Sequence, residues 1–168
     1  MLQKKIEEAL NEQINAEFWS AYLYLSMSLH FESEGRKGMA NWFRIQFQEE
    51  QAHALALIDY LQARDGRVEL KPIAEVPTSW DSPKAAFEAT LEHEKKVTAK
   101  INNLYAMAEE VKDFATRQKL NTFVAEQVEE EESVRQIIDD LTLVGDDGTG
   151  LLQIDRELGA RVFTAPQL

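Results

Sequence analysis

Apolar residues along this chain fall into four long runs at steps of three and four, the period at which one face of a helix returns. The first run reads Leu10, Ile14, Glu17, Ala21, Tyr24, Ser28, Phe31, and the second Met39, Phe43, Gln46, Glu50, His53, Leu57, Tyr60. The third is Phe87, Leu91, Glu94, Thr98, Ile101, Tyr105, Ala108, and the fourth Leu120, Phe123, Gln127, Glu130, Val134, Ile137, Leu141, Val144. These seams predict helices from about residue 4 to Glu34, stopped by Gly35, and from about Gly38 to Asp65, stopped by Gly66. Asp81 or Ser82, with Pro83 in the first turn, predicts the start of a third helix ending near Glu110. Asp113 caps a fourth that runs to about Val144, before a loop of Gly145, Gly148 and Gly150.

The segment from Gly66 to Ser82, with Pro72 and Pro77, is unusually long for a connection. About 17 residues at roughly 3.3 Å each reach about 55 Å, whereas a helix of about 28 residues is only about 42 Å long. The segment can therefore cross the bundle end to end and allow the second and third helices to be parallel, which a short turn would forbid, with Val68, Leu70, Ile73, Val76 and Trp80 as its apolar contacts. Beyond the glycine loop, Leu151, Ile154, Leu158 and Val162 predict a short fifth helix over about 151–162 that needs a surface to dock on. The expected fold is all-α: one domain over 1–168, a four-helix bundle over about 4–144 with a long crossover between helices 2 and 3, and a short C-terminal helix.

Each seam is interrupted by polar residues where burial should be deepest. Glu17, Glu50, Glu94 and Glu130 all fall within about three residues, or about 5 Å, of their helix midpoints, so they meet at one level whatever the helix directions. His53 lies one turn from Glu50 on the same stripe. Unpaired buried carboxylates are costly, and no Lys or Arg occupies the central seam positions to neutralise them. Converging carboxylates with one imidazole suit a divalent transition metal.

Composition narrows the chemistry further. Thirty acidic residues against 18 basic give a net charge of −12, which attracts cations and argues against nucleic acid and anionic membranes as partners. The absence of cysteine excludes disulfides and thiolate metal centres. Lys4, Lys5, Glu7 and Glu8 break up the N-terminal stretch, so a signal peptide or membrane span there is not expected, and a cytoplasmic location is.

On Glu17 and Tyr24, the run Glu49, Glu50, Gln51, Ala52, His53, then Glu94, and the run Glu126, Gln127, Val128, Glu129, Glu130, the chain resembles the prokaryotic non-haem ferritins over nearly its whole length. The resemblance implies a dinuclear iron centre that oxidises Fe²⁺ with oxygen or peroxide, and storage of ferric oxide inside a homo-oligomeric shell of twenty-four subunits. It implies that Glu17, Glu50 and His53 hold one iron, that Glu50 bridges to a second held by Glu94 and Glu130, and that Gln127 lies beside them. A third iron site is implied at Glu49, Glu126, Glu129 and Glu130. Gln51 stands where bacterioferritins place a haem-ligating methionine, and Gln127 with Glu130 replaces their second Glu-x-x-His, so neither bacterioferritin nor haem is implied. Thr122 stands where some relatives carry tryptophan.

Tyr24 has two readings: a core aromatic with a satisfied hydroxyl, or an electron donor beside the centre. His30 and His93 read as packing or surface residues, Trp19, Trp42 and Trp80 as packing residues, and Glu131 and Glu132 as a solvated face. Two other functional classes remain open at this stage. They are a di-iron oxidase acting on an outside substrate and a helical interaction bundle without metal chemistry.

Overall fold

The structure, a computed structural model, describes residues 2–168. Five helices follow in order: α1 (Lys4–Ser33), α2 (Lys37–Ala63), α3 (Pro83–Glu110), α4 (Phe114–Val144) and α5 (Gly148–Leu158). No strand forms among the described residues. The expected caps hold α3 and α4: the Ser82 hydroxyl accepts from the Ala85 N–H at 3.0 Å, and the Asp113 carboxylate accepts from the Thr116 N–H at 3.1 Å. Gly35 follows α1 at φ 75°.

Three boundaries differ from the sequence expectation. The left-handed residue that ends α2 is Asp65, at φ 59°, rather than Gly66. Gly66 serves the same turn by proximity: its N–H donates to the Leu61 carbonyl at 2.9 Å, and a Cβ there would sit 2.5 Å from a Leu61 methyl. The short helix α5 starts at Gly148, inside the expected loop, because the Asp147 carboxylate accepts from the Gly150 N–H at 2.7 Å and nucleates the turn early. It also stops at Leu158, four residues short of Val162. There the Asn41 side chain of α2 takes the Leu158 and Arg161 carbonyls, and Val162 is left exposed.

The crossover climbs the full length of α1. Asn11, near the start of α1, donates to the Arg67 carbonyl and accepts from the Glu69 N–H; Trp19 donates to the Glu75 carbonyl, Ser26 to the Pro77 carbonyl, and the rings of His30 and Trp80 meet at 5.3 Å. The segment thus delivers the chain to the far end of the bundle, and α3 runs parallel to α2. Its apolar contacts are fewer than expected: Val76 is buried and Val68 and Trp80 half-buried, but Leu70 and Ile73 face outward. Hydrogen bonds to side chains of α1 do the anchoring that those two residues were expected to do.

The seams of α1, α2 and α4 are buried as read, apart from half-buried Tyr60 and Val144. On α3 the deep stripe is rotated slightly, so Thr90, Val97 and Leu104 are buried and Leu91, Thr98 and Tyr105 only half-buried. The apolar core is split in two. One cluster gathers Tyr24, Met27, Phe31, Met39, Trp42, Phe43 and Phe87 with Val134, Ile137 and Leu141. The other gathers Ile6, Leu10, Ile14, Leu57 and Leu61 with Ile101, Leu104, Leu120 and Phe123. A polar layer separates them.

At the end near the α1–α2 turn, α5 docks across the start of α2. The Asp155 carboxylate accepts from the Met39 N–H at 2.8 Å, supplying from a distant helix a cap that Arg36 does not provide. This approach needs Gly38, where a Cβ would lie 1.5 Å from the Asp155 carbonyl oxygen. At the opposite end, Arg64 forks onto Asp113 at 3.0 and 3.2 Å and also donates to Tyr60 and Thr116, tying the last turn of α2 to the first of α4. Among the described residues no helix is long and apolar enough to cross a membrane.

Candidate metal centre

The layer between the two apolar clusters is built by one to three residues from each long helix. Glu17 comes from α1, Gln46, Glu50 and His53 from α2, Glu94 from α3, and Gln127 and Glu130 from α4; all are buried. Each sits on its helix's inward stripe, so the backbone that packs the aliphatic residues also aims these groups at one another.

The layer has two unlike halves. In the first, Glu17, Glu50 and His53 each offer one ligand atom, and these atoms lie within 4.8 Å of one another. Their polar atoms are poorly used: Glu17 Oε2, Glu50 Oε2 and His53 Nε2 have no hydrogen-bond partner, although Gln13, one turn before Glu17, donates to its other oxygen at 2.7 Å. The His53 Nδ1 stands 3.6 Å from Glu50 Oε2. Buried polar atoms are normally paired, so three convergent orphans mark a place built for something that accepts their lone pairs. In the second half the carboxylates are already held. Glu94 accepts from the Tyr24 hydroxyl and, at 3.1 Å, from Gln127, while Glu130 accepts from Gln46 at 2.9 Å.

Burial and mutual repulsion shift these acids upward. Loss of hydration pushes Glu17 up to about 8, with the Glu50 charge adding to it. Glu94 also rises to about 8, through burial and then the Glu130 charge. Glu50 is raised well above the ordinary carboxylate value by burial and by Glu94. Tyr24 is raised in turn, first by burial and next by Glu94, so its phenol stays protonated and donates. A layer of carboxyls kept partly neutral by their own proximity is one that a divalent cation would ionise.

The residues of the implied third site are spread outward from this layer. Glu130 belongs to it, but Glu49 and Glu126 are half-buried and Glu129 is exposed. Burial raises Glu49 to about 7 in spite of the Arg161 guanidinium, whose Nη2 donates to Glu49 Oε2 at 2.6 Å. Burial raises Glu126 as well.

The sequence reading gave no role to several residues that shape the centre. Gln46 was visible as a seam residue and Gln13 as the i−4 neighbour of Glu17, which are the only signals spacing can offer. Arg161 had none, being 112 residues from Glu49. His93 packs as expected for a ring off the seam, between Trp19 at 5.2 Å and Tyr24 at 6.0 Å, with Ser20 at 2.7 Å from its Nε2. Burial lowers its pKa to about 4. Glu131 is half-buried rather than solvated and accepts from Thr98 at 2.7 Å.

Comparison with known proteins matches this architecture throughout. Residues 7–144 match the family described as "Ferritin-like domain". The chain is 45% identical over 161 residues to the bacterial non-heme ferritin of Bacteroides fragilis, covering 96% of this chain and 100% of that one. It is 37% identical over 163 residues to the bacterial non-heme ferritin of Staphylococcus aureus, covering 97% and 98%. Among solved structures, an open pore ferritin from the hyperthermophilic archaeon Archaeoglobus fulgidus superimposes with a TM-score of 0.96 at 51% identity, over 96% of this chain and 100% of the other. With its five-helix order, its divided core and these relatives taken together, the chain belongs to the ferritin family.

Proposed function

We propose that this protein is an iron-storage ferritin that oxidises Fe²⁺ at the mid-bundle layer and deposits the ferric product as a mineral inside a shell of its own copies, in the cytoplasm. The observation that carries the reading is the set of orphaned ligand atoms on Glu17, Glu50 and His53, buried between two apolar clusters. In this reading those three hold one Fe²⁺, and Glu50 reaches across to a second bound by Glu94 and Glu130, with Gln127 alongside. Two Fe²⁺ each give up one electron. Dioxygen takes both, with two protons, to become hydrogen peroxide, or peroxide takes both, with two protons, to become two waters. Hard anionic carboxylate oxygens favour Fe³⁺ over Fe²⁺ and so supply part of the driving force. Haem has no part in the reading, and Glu49, Glu126, Glu129 and Glu130 form an outer iron position.

Assembly draws on two features. Large apolar side chains stay exposed on α1, at Tyr22 and Leu29, and on the crossover, at Leu70 and Ile73, a surface that suits contact with further copies. The net charge of −12 suits concentration of iron cations within such a shell. The test is stopped-flow absorbance on aerobic addition of excess Fe²⁺, followed by iron analysis and sizing of the particle. Fast oxidation, abolished in Glu50→Ala, and loading far beyond three irons per chain are expected. Loading that stops at two or three per chain, or oxidation at an unchanged rate in Glu50→Ala, would overturn the assignment.

A further inference from the structure

Just after α5 the chain is drawn back onto α2 at Arg161, while Val162 and Phe163 beyond it are exposed. Asn41 Nδ2 donates to the Arg161 carbonyl at 3.0 Å and to the Leu158 carbonyl at 3.4 Å, which pins the backbone where the tail turns. From that anchor the Arg161 side chain reaches inward: its guanidinium carbon lies 4.8 Å from the centre of the Trp42 ring, its Nη1 donates to the Trp42 carbonyl at 3.5 Å, and its Nη2 to Glu49 Oε2 at 2.6 Å. Three independent contacts to α2 fix one cation at one carboxylate. That carboxylate adjoins Glu50 in sequence and lies close enough to feel the charges of Glu130 and His53. Gln46, whose amide donates to Glu130 at 2.9 Å, has a buried carbonyl oxygen without a partner.

We propose that Arg161 is a tethered cation that occupies Glu49 in place of a metal ion, so that filling the outer position displaces Arg161 and releases the tail. The inference rests on the reading of Glu49 and Glu130 as an outer iron position. A guanidinium and a divalent ion on one carboxylate repel each other across the width of that group, and the metal also draws away the electron density that the guanidinium bonds. The tail is then a sensor of loading: folded onto α2 while the outer position is empty, detached once it fills. Because the guanidinium is partly exposed, its charge is not trapped when it leaves, and the exchange is reversible.

The test uses the assembled full-length protein and Zn²⁺, which binds such ligands without redox chemistry, in isothermal titrations of wild type, Arg161→Gln and Arg161→Lys. In Arg161→Gln the third equivalent should bind about tenfold tighter, the value of one charge-assisted bond removed from competition, with the first two equivalents unchanged. Arg161→Lys, which keeps the charge and loses the fork, should fall between. Hydrogen exchange at residues 159–161 of the wild type, whose N–H groups are bonded back onto α5, should rise only as the third equivalent binds. Third equivalents of equal affinity in wild type and Arg161→Gln, with or without a looser tail, would overturn the proposal and leave the outer position standing. Saturation at two equivalents in both would remove the outer position and the proposal with it.

Discussion

Filling the metal centre without oxygen should drive protons off the protein, and the number follows from the layer's geometry. Glu17 and Glu94 are each raised to about 8 by burial and by their carboxylate neighbours. At pH 7 each therefore carries about nine-tenths of a proton. Glu50, raised well above the ordinary value by burial and by Glu94, adds to that count. A carboxylate that ligates a metal is ionised, so saturating the pair with Fe²⁺ or Zn²⁺ at pH 7 should release nearly two protons per chain from Glu17 and Glu94, with Glu50 adding to them. At pH 8.5 the share from Glu17 and Glu94 together should fall to about half a proton, because both are mostly ionised before the metal arrives. An anaerobic titration in a pH-stat measures this directly. Release of less than one proton per chain at pH 7, or a release that does not decline toward pH 8.5, would refute the argument that repulsion and burial hold these acids neutral. The same shifts set the pH dependence of the metal-free fold. A folded-state pKa above the unfolded value means the folded chain binds more protons, so stability is greatest below pH 4.5 for these groups and is lost as pH rises through about 8. For Glu17 alone the loss by pH 7 has a ceiling of roughly 3 kcal/mol, reduced by any relaxation of the layer around the charge.

Further outcomes follow from the packing. Replacing Glu17 by Met should raise the midpoint of metal-free unfolding, by about 1 to 2 kcal/mol, while abolishing rapid Fe²⁺ oxidation; a lower midpoint would contradict the view that the layer strains the empty bundle. Gly38→Ala puts a Cβ 1.5 Å from the Asp155 carbonyl oxygen and should push α5 off α2 at a cost of about 2 kcal/mol, and unchanged hydrogen exchange in α5 would refute the docking. Phe43, fully buried and ringed by Tyr24, Phe31, Trp42 and Phe87, should cost about 3 to 5 kcal/mol as Ala in a urea titration, and a loss below 1 kcal/mol would contradict its central place. Tyr24→Phe keeps the ring and removes the donor to Glu94, so it should destabilise the metal-free fold by about 1 kcal/mol and push the Glu94 pKa up further; no change in stability or in proton release would refute that role for the hydroxyl.

The parts of this protein legible in its sequence are those written in local spacing. Seam period places Glu17, Glu50, His53, Glu94, Gln127 and Glu130 on inward faces because side-chain direction in a helix is fixed by position. Ser82 and Asp113 announce their helices because a cap is a contact three residues long. The length of the crossover lets α2 and α3 be parallel, which a short turn would forbid. Illegible parts depend on partners distant in the chain. Leu70 and Ile73 look like core residues on composition, yet the hydrogen bonds of Asn11, Trp19 and Ser26 decide which side of the crossover faces α1. The end of α5 is set by Asn41, and the state of Glu49 by Arg161, neither of which any periodicity foretells. Gln13 and Gln46 sat at readable positions, but which carboxylate an amide holds depends on helix rotation of a few degrees.

The divided core also explains why the layer keeps its register. Sliding one helix by two turns, about 11 Å, would carry a carboxylate out of the layer and into either apolar cluster. A Glu50 displaced one way would face the ring group of Phe43 and Phe87, and displaced the other way the cluster of Leu57 and Phe123. Burying an unpaired acid there is worse than leaving it among its fellows, so the polar residues that weaken the empty bundle also exclude its misaligned forms. The two ends reinforce this: Arg64 on Asp113 joins α2 to α4 at one end, and Asp155 on the Met39 N–H joins α5 to α2 at the other. The ligand atoms are thereby held on four rigid helices whose spacing is set by apolar packing above and below them, and an arriving cation meets carboxylates already gathered at one depth instead of having to gather them.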